Sequence, residues 1–357
     1  MNEEIRRRAL ELGFDACGFA AARPLDHLRD FYRHFLDEER QATMAYLDRY
    51  APQRIDPELL LSGVKTVIAV LINYYPPELL SGDDNFVISK YAYGKRYPQL
   101  IKTKLQPLAA FVDSIGKAGS SSKIFVDSGP VLEKLSGSLG GAGTTSKIFA
   151  DSGPVLEKLS GSLGGAGTTS KIFVDSGPVL EKAWAQSCGI GWQGKNTLII
   201  NPSMGSFVFI GIILTSVEIE PDTAEADHCG SCTRCMDACP TGAIDRPYQL
   251  NIRRCISYGT LVKNAEMPAE VRAKLDGKIF GCDICQDVCP YNRKVKPTTE
   301  TWFHPSEALK RMRRNDWINL TKEQYEDWFA SDALGDMGYE GLMKNVRNAI
   351  TQQRRTL

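Results

Sequence analysis

The opening stretch "MNEEIRRRALELGFDACGFA" sets apolar residues among charges at helical spacing and then runs into a short apolar strand. "RDFYRHFLDEERQATMAYLDRY" is again amphipathic with a helical period, so residues 1–50 read as mainly helical. "VKTVIAVLINYY" predicts a buried strand and "IKTKLQPLAAFVDSIGKAG" a further helix. Further on, "GPVLEKAWAQSCGIGWQGKNTLIINPSMGSFVFIGIILTSVEIE" reads as a helix, a Gly-rich turn and two strands joined by a turn. This pattern predicts an α+β domain with a largely antiparallel sheet over residues 1–220. Cysteines and loop residues dominate 221–300, and polar helical periodicity returns over 301–357.

The middle of the chain repeats itself. "SKIFVDSGPVLEKLSGSLGGAGTT" begins at Ser122 and again at Ser146, the second copy differing only by Ala150. A third copy starts at Ser170 and departs after Lys182 into "AWAQSCGIGW". A solenoid needs at least three stacked units with atypical caps. Two and a half near-identical units with Gly/Ser-rich, linker-like ends read instead as a tandem duplication of 122–169. The third copy is expected in the working core. Its helix, capped by Asp175 or Ser176 with Pro178 in the first turn, can run on through "VLEKAWAQSC". In the first two copies "LSGSLGGAG" stops it. The first copy lies nearest the preceding helix, which leaves an exchange of copies open.

Composition narrows the class. Forty-three basic residues balance 43 acidic ones, so net charge gives no nucleic-acid footprint. The longest apolar runs are about half the roughly twenty residues a membrane-spanning helix needs. With no signal-peptide pattern, the chain is expected in the cytoplasm, with no membrane partner. There, clustered thiols hold metal more often than they form disulfides.

Ten cysteines are present, and seven fall into two runs. Cys229, Cys232, Cys235 and Cys239, followed by Pro240, fit the ferredoxin run in which the fourth cysteine ligates the other cluster. Cys282, Cys285 and Cys289, followed by Pro290, lack a leading cysteine that Cys255 can supply. Crossing over gives one [4Fe-4S] set of Cys229, Cys232, Cys235 and Cys289. The second [4Fe-4S] set is Cys239, Cys255, Cys282 and Cys285. Two structural zinc sites are the alternative. Both C-x3-C-P endings and the "PTGAI" after the first favour clusters. Cys17 and Cys188 stand alone in apolar surroundings and read as packing residues.

"DSGPVLEKAWAQSCGIGWQGKNTLIINPSMGSFVFIGIIL", "CGSCTRCMDACPTGAI", "RCISYGTLV" and "GCDICQDVCPYN" together resemble epoxyqueuosine reductases. This family comprises the cobalamin-dependent iron–sulfur enzymes of the last step in making the tRNA wobble base queuosine. The resemblance is close over 170–295, looser over 50–115, and reaches the tail through "GLMKNVRNAI". It implies an N-terminal cobalamin-binding domain related to that of reductive dehalogenases, a two-cluster module packed against it, and an external electron donor. The partner it implies is a tRNA carrying a queuosine-type wobble base, and the chain is expected to act as a monomer.

The resemblance also implies roles for single residues. The family's proton donor falls on Asp175, a repeat position shared with Asp127 and Asp151; otherwise Asp175 is a helix cap. A helix N-terminus favours the carboxylate, so burial or substrate must raise its pKa for it to hold a proton at neutral pH. Arg54, Ser89, Ile199, Ile210, Ser257 and Asp283, with Asp175, match cobalamin-contacting positions. Without the resemblance, Arg54 is a surface charge, the isoleucines are core and Asp283 is a loop carboxylate. Lys263, Lys344 and Arg347 become phosphate contacts for tRNA; otherwise they are solvated helix faces.

This chain departs from its relatives in two places. At 94–98 it has "GKRYP", keeping only Gly94, Lys95 and Tyr97 of the family's pattern, and no HEAT-like repeats follow the tail. Two other functions compete: a reductive dehalogenase-like enzyme and a non-enzymatic two-cluster electron carrier. The first predicts a tyrosine donor, and the second leaves the N-terminal domain without a purpose.

Overall fold

The computed structural model describes residues 1–80, 85–116, 122–126, 171–172 and 178–353. Asp127, Asp151 and Asp175 lie outside the described residues. The strands are β1 (Ala16–Ala21), β2 (Thr66–Asn73), β3 (Val87–Ile88), β4 (Ser122–Val126), β5 (Lys171–Ile172), β6 (Trp192–Gln193), β7 (Ile199–Ile200), β8 (Val208–Thr215) and β9 (Lys278–Phe280). Five of them form one sheet in the order β1-β2-β8-β4-β5. Every described pairing in that sheet is antiparallel except β4 with β5.

All eight residues of β2 and all eight of β8 are buried, because both faces of the sheet are covered. Their near-continuous apolar sequence needs that covering. Alternate residues divide between two layers. Ile68, Val70, Ile72, Phe209 and Ile213 share a core with the helix Tyr97–Ile115, while Val67, Ala69, Leu71, Ile210, Ile212 and Leu214 pack with Trp184 and Ala185 of the helix Glu181–Ser187. Gly211 lets the first helix sit close. A Cβ there would lie 2.9 Å from Val70, 3.0 Å from Leu105 and 3.3 Å from Ile101. The first core runs on without a break through Tyr258 and Phe280 to Trp317, Phe329 and Val346 of the tail.

The amphipathic stretch 29–50 is helical in pieces: Asp26–Asp37 ends before Glu39 and Ala42, whose positive φ values of 51° and 53° turn the chain, and Tyr46–Arg49 follows. Two expectations are corrected. The helix of the third copy begins at Glu181, after Pro178, and has no side-chain cap. The first copy, rather than the third, supplies the strand beside β8: Ser122 pairs with Thr215 and Val126 with Gly211. The third copy's β5 lies outside it, parallel, with Lys123 opposite Lys171. Chain connection accounts for this, because Ser122 follows within a few residues of the helix ending at Ile115.

The tail is helical, with its longest helix at Tyr339–Gln353. Asn345 on that helix donates to the carbonyls of Thr260 at 2.8 Å and Ile279 at 2.9 Å, fastening it to the cysteine-rich region. No helix among the described residues is long and apolar enough to cross a membrane.

Candidate cluster and cofactor site

The two cysteine runs come together as two separate cavities. Cys229, Cys232, Cys235 and Cys289 line one of about 290 Å³. Cys239, Cys255, Cys282 and Cys285 line a narrower one of about 50 Å³, with Ser257 and Gln286 in the same wall. Each run therefore keeps three of its sulfurs together and sends the proline-flanked fourth across. Short helical turns, Arg234–Asp237 and Ile284–Asp287, carry this geometry in both runs.

Mutual electrostatics follow the same division. Burial, then the neighbouring Cys229, Cys289 and Cys232, pushes the Cys235 thiol up to about 11. Burial pushes Cys282 to about 12, with Cys255 adding to it. Cys285 is raised well above the ordinary thiol value by burial and then by Cys282 and Cys255. It also senses Cys235, so these two sulfurs mark the approach between the cavities. Thiolates crowded in this way repel one another, so the free thiols keep their protons, and metal coordination deprotonates them outright.

The donor set fits iron–sulfur clusters on two observations. Each set of four sulfurs lines a cavity of its own, a void rather than a point. Trp192, fully buried, packs with Cys289 and Cys229, and its Nε1 has no acceptor among the described residues. A buried donor beside a thiol-lined cavity is satisfied once acceptor sulfur fills the space.

The turn Gly194–Asn196 stitches the sheet domain to both runs. Lys195, buried, donates from Nζ to the carbonyls of Gly230 at 2.6 Å and Cys232 at 3.0 Å. Asn196 donates to the carbonyl of Cys285 at 3.4 Å and lines both cavities. The "GKN" motif carries the resemblance, but nothing in its spacing points to these long-range partners. Beyond the turn, Leu198 lines the second cavity and Ile200 the first, while Ile199 between them faces the sheet core.

The other matched positions fall into two sets. Arg54, Ile199 and Ile210 lie on the Trp184 side of the sheet. Arg54 is buried, donates to the carbonyl of Val179 at 3.1 Å, and sits 5.6 Å from the Tyr46 ring centroid. Ser89, Ser257 and Asp283 lie on the second cavity's side. Ser89 Oγ donates to Asp283 Oδ1, and the backbone N–H of Lys90 to Oδ2 at 2.8 Å. Ser257 donates to the carbonyl of Cys282 at 3.4 Å. Lys90 Nζ is shared between Asp283 at 3.4 Å and Asp287 at 2.6 Å.

A third feature is a cleft of about 860 Å³ lined by Lys263, Lys344, Arg253, Arg272, Tyr258 and Glu266 among others. Lys263 and Lys344 were anticipated there; Arg253 and Arg272 were not, since they are far apart in sequence and stand outside basic runs. Arg347 is exposed three residues along the same helix and does not line the cleft.

Comparison with known proteins agrees with this architecture. A curated epoxyqueuosine reductase from Leadbetterella byssophila is 37% identical over 346 residues, covering 97% of both chains. The chain belongs to the epoxyqueuosine reductase family. A second family member, from Cellulophaga algicola, is 35% identical over 96% of this chain and 95% of its own. Residues 54–128 match the family described as Epoxyqueuosine reductase QueG, DUF1730, and residues 228–292 the 4Fe-4S double cluster binding domain. Among solved structures, the epoxyqueuosine reductase from Streptococcus thermophilus superimposes with a TM-score of 0.77 at 27% identity, over 99% of this chain and 81% of that one. An epoxyqueuosine reductase holding an epoxyqueuosine-modified tRNA-Tyr stem loop gives 0.74 at 27%, over 98% and 81%.

Proposed function

We propose that this chain reduces epoxyqueuosine to queuosine at the wobble position of tRNA, with cobalamin as cofactor and two [4Fe-4S] clusters delivering electrons. The observation that carries it is the partition of eight cysteines into two adjacent four-sulfur cavities, tied to the sheet domain by Lys195 and Asn196. Family membership supplies the reaction. One cluster is held by Cys229, Cys232, Cys235 and Cys289, the other by Cys239, Cys255, Cys282 and Cys285. The two form a path for single electrons from an external donor.

The chemistry removes one oxygen. Both C–O bonds of the epoxide break, a C=C bond forms, and two electrons and two protons leave the oxygen as water. Cobalamin, when bound, supplies a strongly reducing cobalt centre for that opening. Gln53 Oε1, beside Arg54 in sequence, is buried with no donor among the described residues, and it suits the amide N–H groups that fringe a corrin. Arg54 orients the same edge. Ile199 and Ile210 give an apolar wall that excludes water, and Ser89, Ser257 and Asp283 close the pocket toward the second cluster.

Asp175 delivers a proton to the departing oxygen. A Bacillus subtilis relative has been solved with an aspartate-bearing catalytic loop swung out of its active site, which supports an aspartate for this role. Phosphate contacts from Lys263, Lys344 and Arg347, joined by Arg253 and Arg272 in the cleft, hold the tRNA. The electrostatics supply affinity, and an extruded anticodon base supplies specificity.

The test is anaerobic turnover of epoxyqueuosine-containing tRNA, read by mass spectrometry of the nucleoside. Loss of one oxygen is expected with cobalamin and reductant present. Unchanged nucleoside from protein holding both clusters and cobalamin would overturn the reading.

A further inference from the structure

We propose that the two clusters have unequal reduction potentials, set by Lys195 beside the first and Asp283 beside the second. The inference rests on the two-cluster reading above and concerns the protein charges around each. A cluster gains negative charge when it accepts an electron, so a nearby cation makes reduction easier and a nearby carboxylate makes it harder.

Lys195 puts an ammonium against the first ligand loop. It is held there by the Gly230 and Cys232 carbonyls, which are dipoles without net charge, and it lines the first cavity. The carboxylate that senses it is Asp227, on the exposed side of the loop, already engaged by the Tyr248 hydroxyl and by the N–H of Cys229 at 2.7 Å. Arg234 adds a second cation to the same cavity wall.

The second cavity has the opposite surroundings. Asp283 stands between the ligands Cys282 and Cys285, is buried, and is felt by both thiols. Its counter-ion Lys90 is divided between Asp283 and Asp287, and Lys278, the other ammonium that acts on Cys282 and Asp287, is drawn to Asp276 at 3.6 Å, so three carboxylates share two ammonium groups. Solvent acts in the same direction, because Gly230, Ser231, Thr233 and Arg234 around the first cavity are exposed. The first cluster is therefore the easier to reduce. It receives the electron at the surface, and the second, nearer Ser89 and Ser257, passes it on as the stronger reductant.

Transfer from the first cluster to the second is then an uphill step, and Lys195 and Asp283 are positioning residues whose charges set its size. The experiment is an EPR-monitored titration of the anaerobically reconstituted full-length protein, with dithionite as the electron source. The parent should show two separated one-electron steps. Lys195→Met should disfavour the easier step at least tenfold, about 59 mV for one electron, and leave the harder one in place. Lys195→Arg should restore it. Asp283→Asn should favour the harder step by a comparable factor, so the steps approach each other from opposite sides. If neither substitution moves a step, or both move the same one, the proposal is overturned. If Lys195→Met fails to retain its cluster, Lys195→Arg and Asp283→Asn decide the matter alone. Iron-free parent protein would overturn the two-cluster reading and this inference with it; two intact clusters at one common potential would overturn only this inference.

Discussion

Ser89 donates its hydroxyl hydrogen bond to Asp283 across 194 residues of sequence, joining the sheet domain to the turn that separates two cluster ligands. Both groups are buried. Removing the hydroxyl leaves the carboxylate with the Lys90 backbone and ammonium alone. A hydrogen bond to a charged group is worth about 1.5–3 kcal/mol. Ser89→Ala is therefore expected to lower stability by about that amount in urea unfolding and to weaken cobalamin binding. An unchanged midpoint would mean that water replaces the hydroxyl without cost.

Cys255 is separated from both C-x3-C-P runs yet lines the second cavity with three of their sulfurs. Cys255→Ser should reduce bound iron from about eight to about four per chain, the count for one [4Fe-4S] centre. Iron and sulfide analysis after anaerobic reconstitution reads this directly. Loss of all iron would show that the two sites assemble only together, and stoichiometric zinc without iron would end the cluster reading.

For the repeat, Asp175→Asn should abolish epoxide reduction while leaving cobalamin and iron contents unchanged. Asparagine keeps the size and the capping oxygen but cannot supply the proton. Support for the third copy comes from Val179, four residues on, which is buried and accepts from Arg54. The first copy has its own claim, because Asp127 directly follows the β4 residue Val126. Asp127→Asn should remain active; if it is the inactivating change instead, the donor belongs to the strand rather than to the helix.

The cleft predicts a salt signature. Lys344→Ala with Arg347→Ala should weaken stem-loop binding and flatten the dependence of log K on log salt by about 0.7–0.9 for each phosphate left without its cation. Fluorescence anisotropy across a salt series measures it. An equal loss of affinity at every salt concentration would assign the two residues to folding rather than to phosphate.

Much of this architecture was legible because it is carried by local covalent spacing. Three cysteines two residues apart must converge, and a proline after the fourth turns it away, so which sulfurs share a cavity can be read without a fold. The near-continuous apolar runs of β2 and β8 likewise announce a sheet covered on both faces. Lys195 and Asn196 were legible only as letters of a motif, since their partners lie 35 and 89 residues away. Gln53 and Trp192 were not singled out either; each stands out only because a buried polar atom lacks a partner among the described residues. The break after Asp37 was hidden because Glu39 and Ala42 are ordinary helix formers forced to positive φ by the path to Tyr46. The choice between repeat copies could not come from composition. Identical strands have identical propensities, and only the length of the connection tells them apart.

The edge of β8 that β4 occupies offers one berth, and the chain spells its occupant three times over. With Ser122–Val126 paired there, the berth is taken, while the sequence still carries two more claimants to it. Only Ala150 sets the middle claimant apart, at the repeat position where Val126 pairs with Gly211.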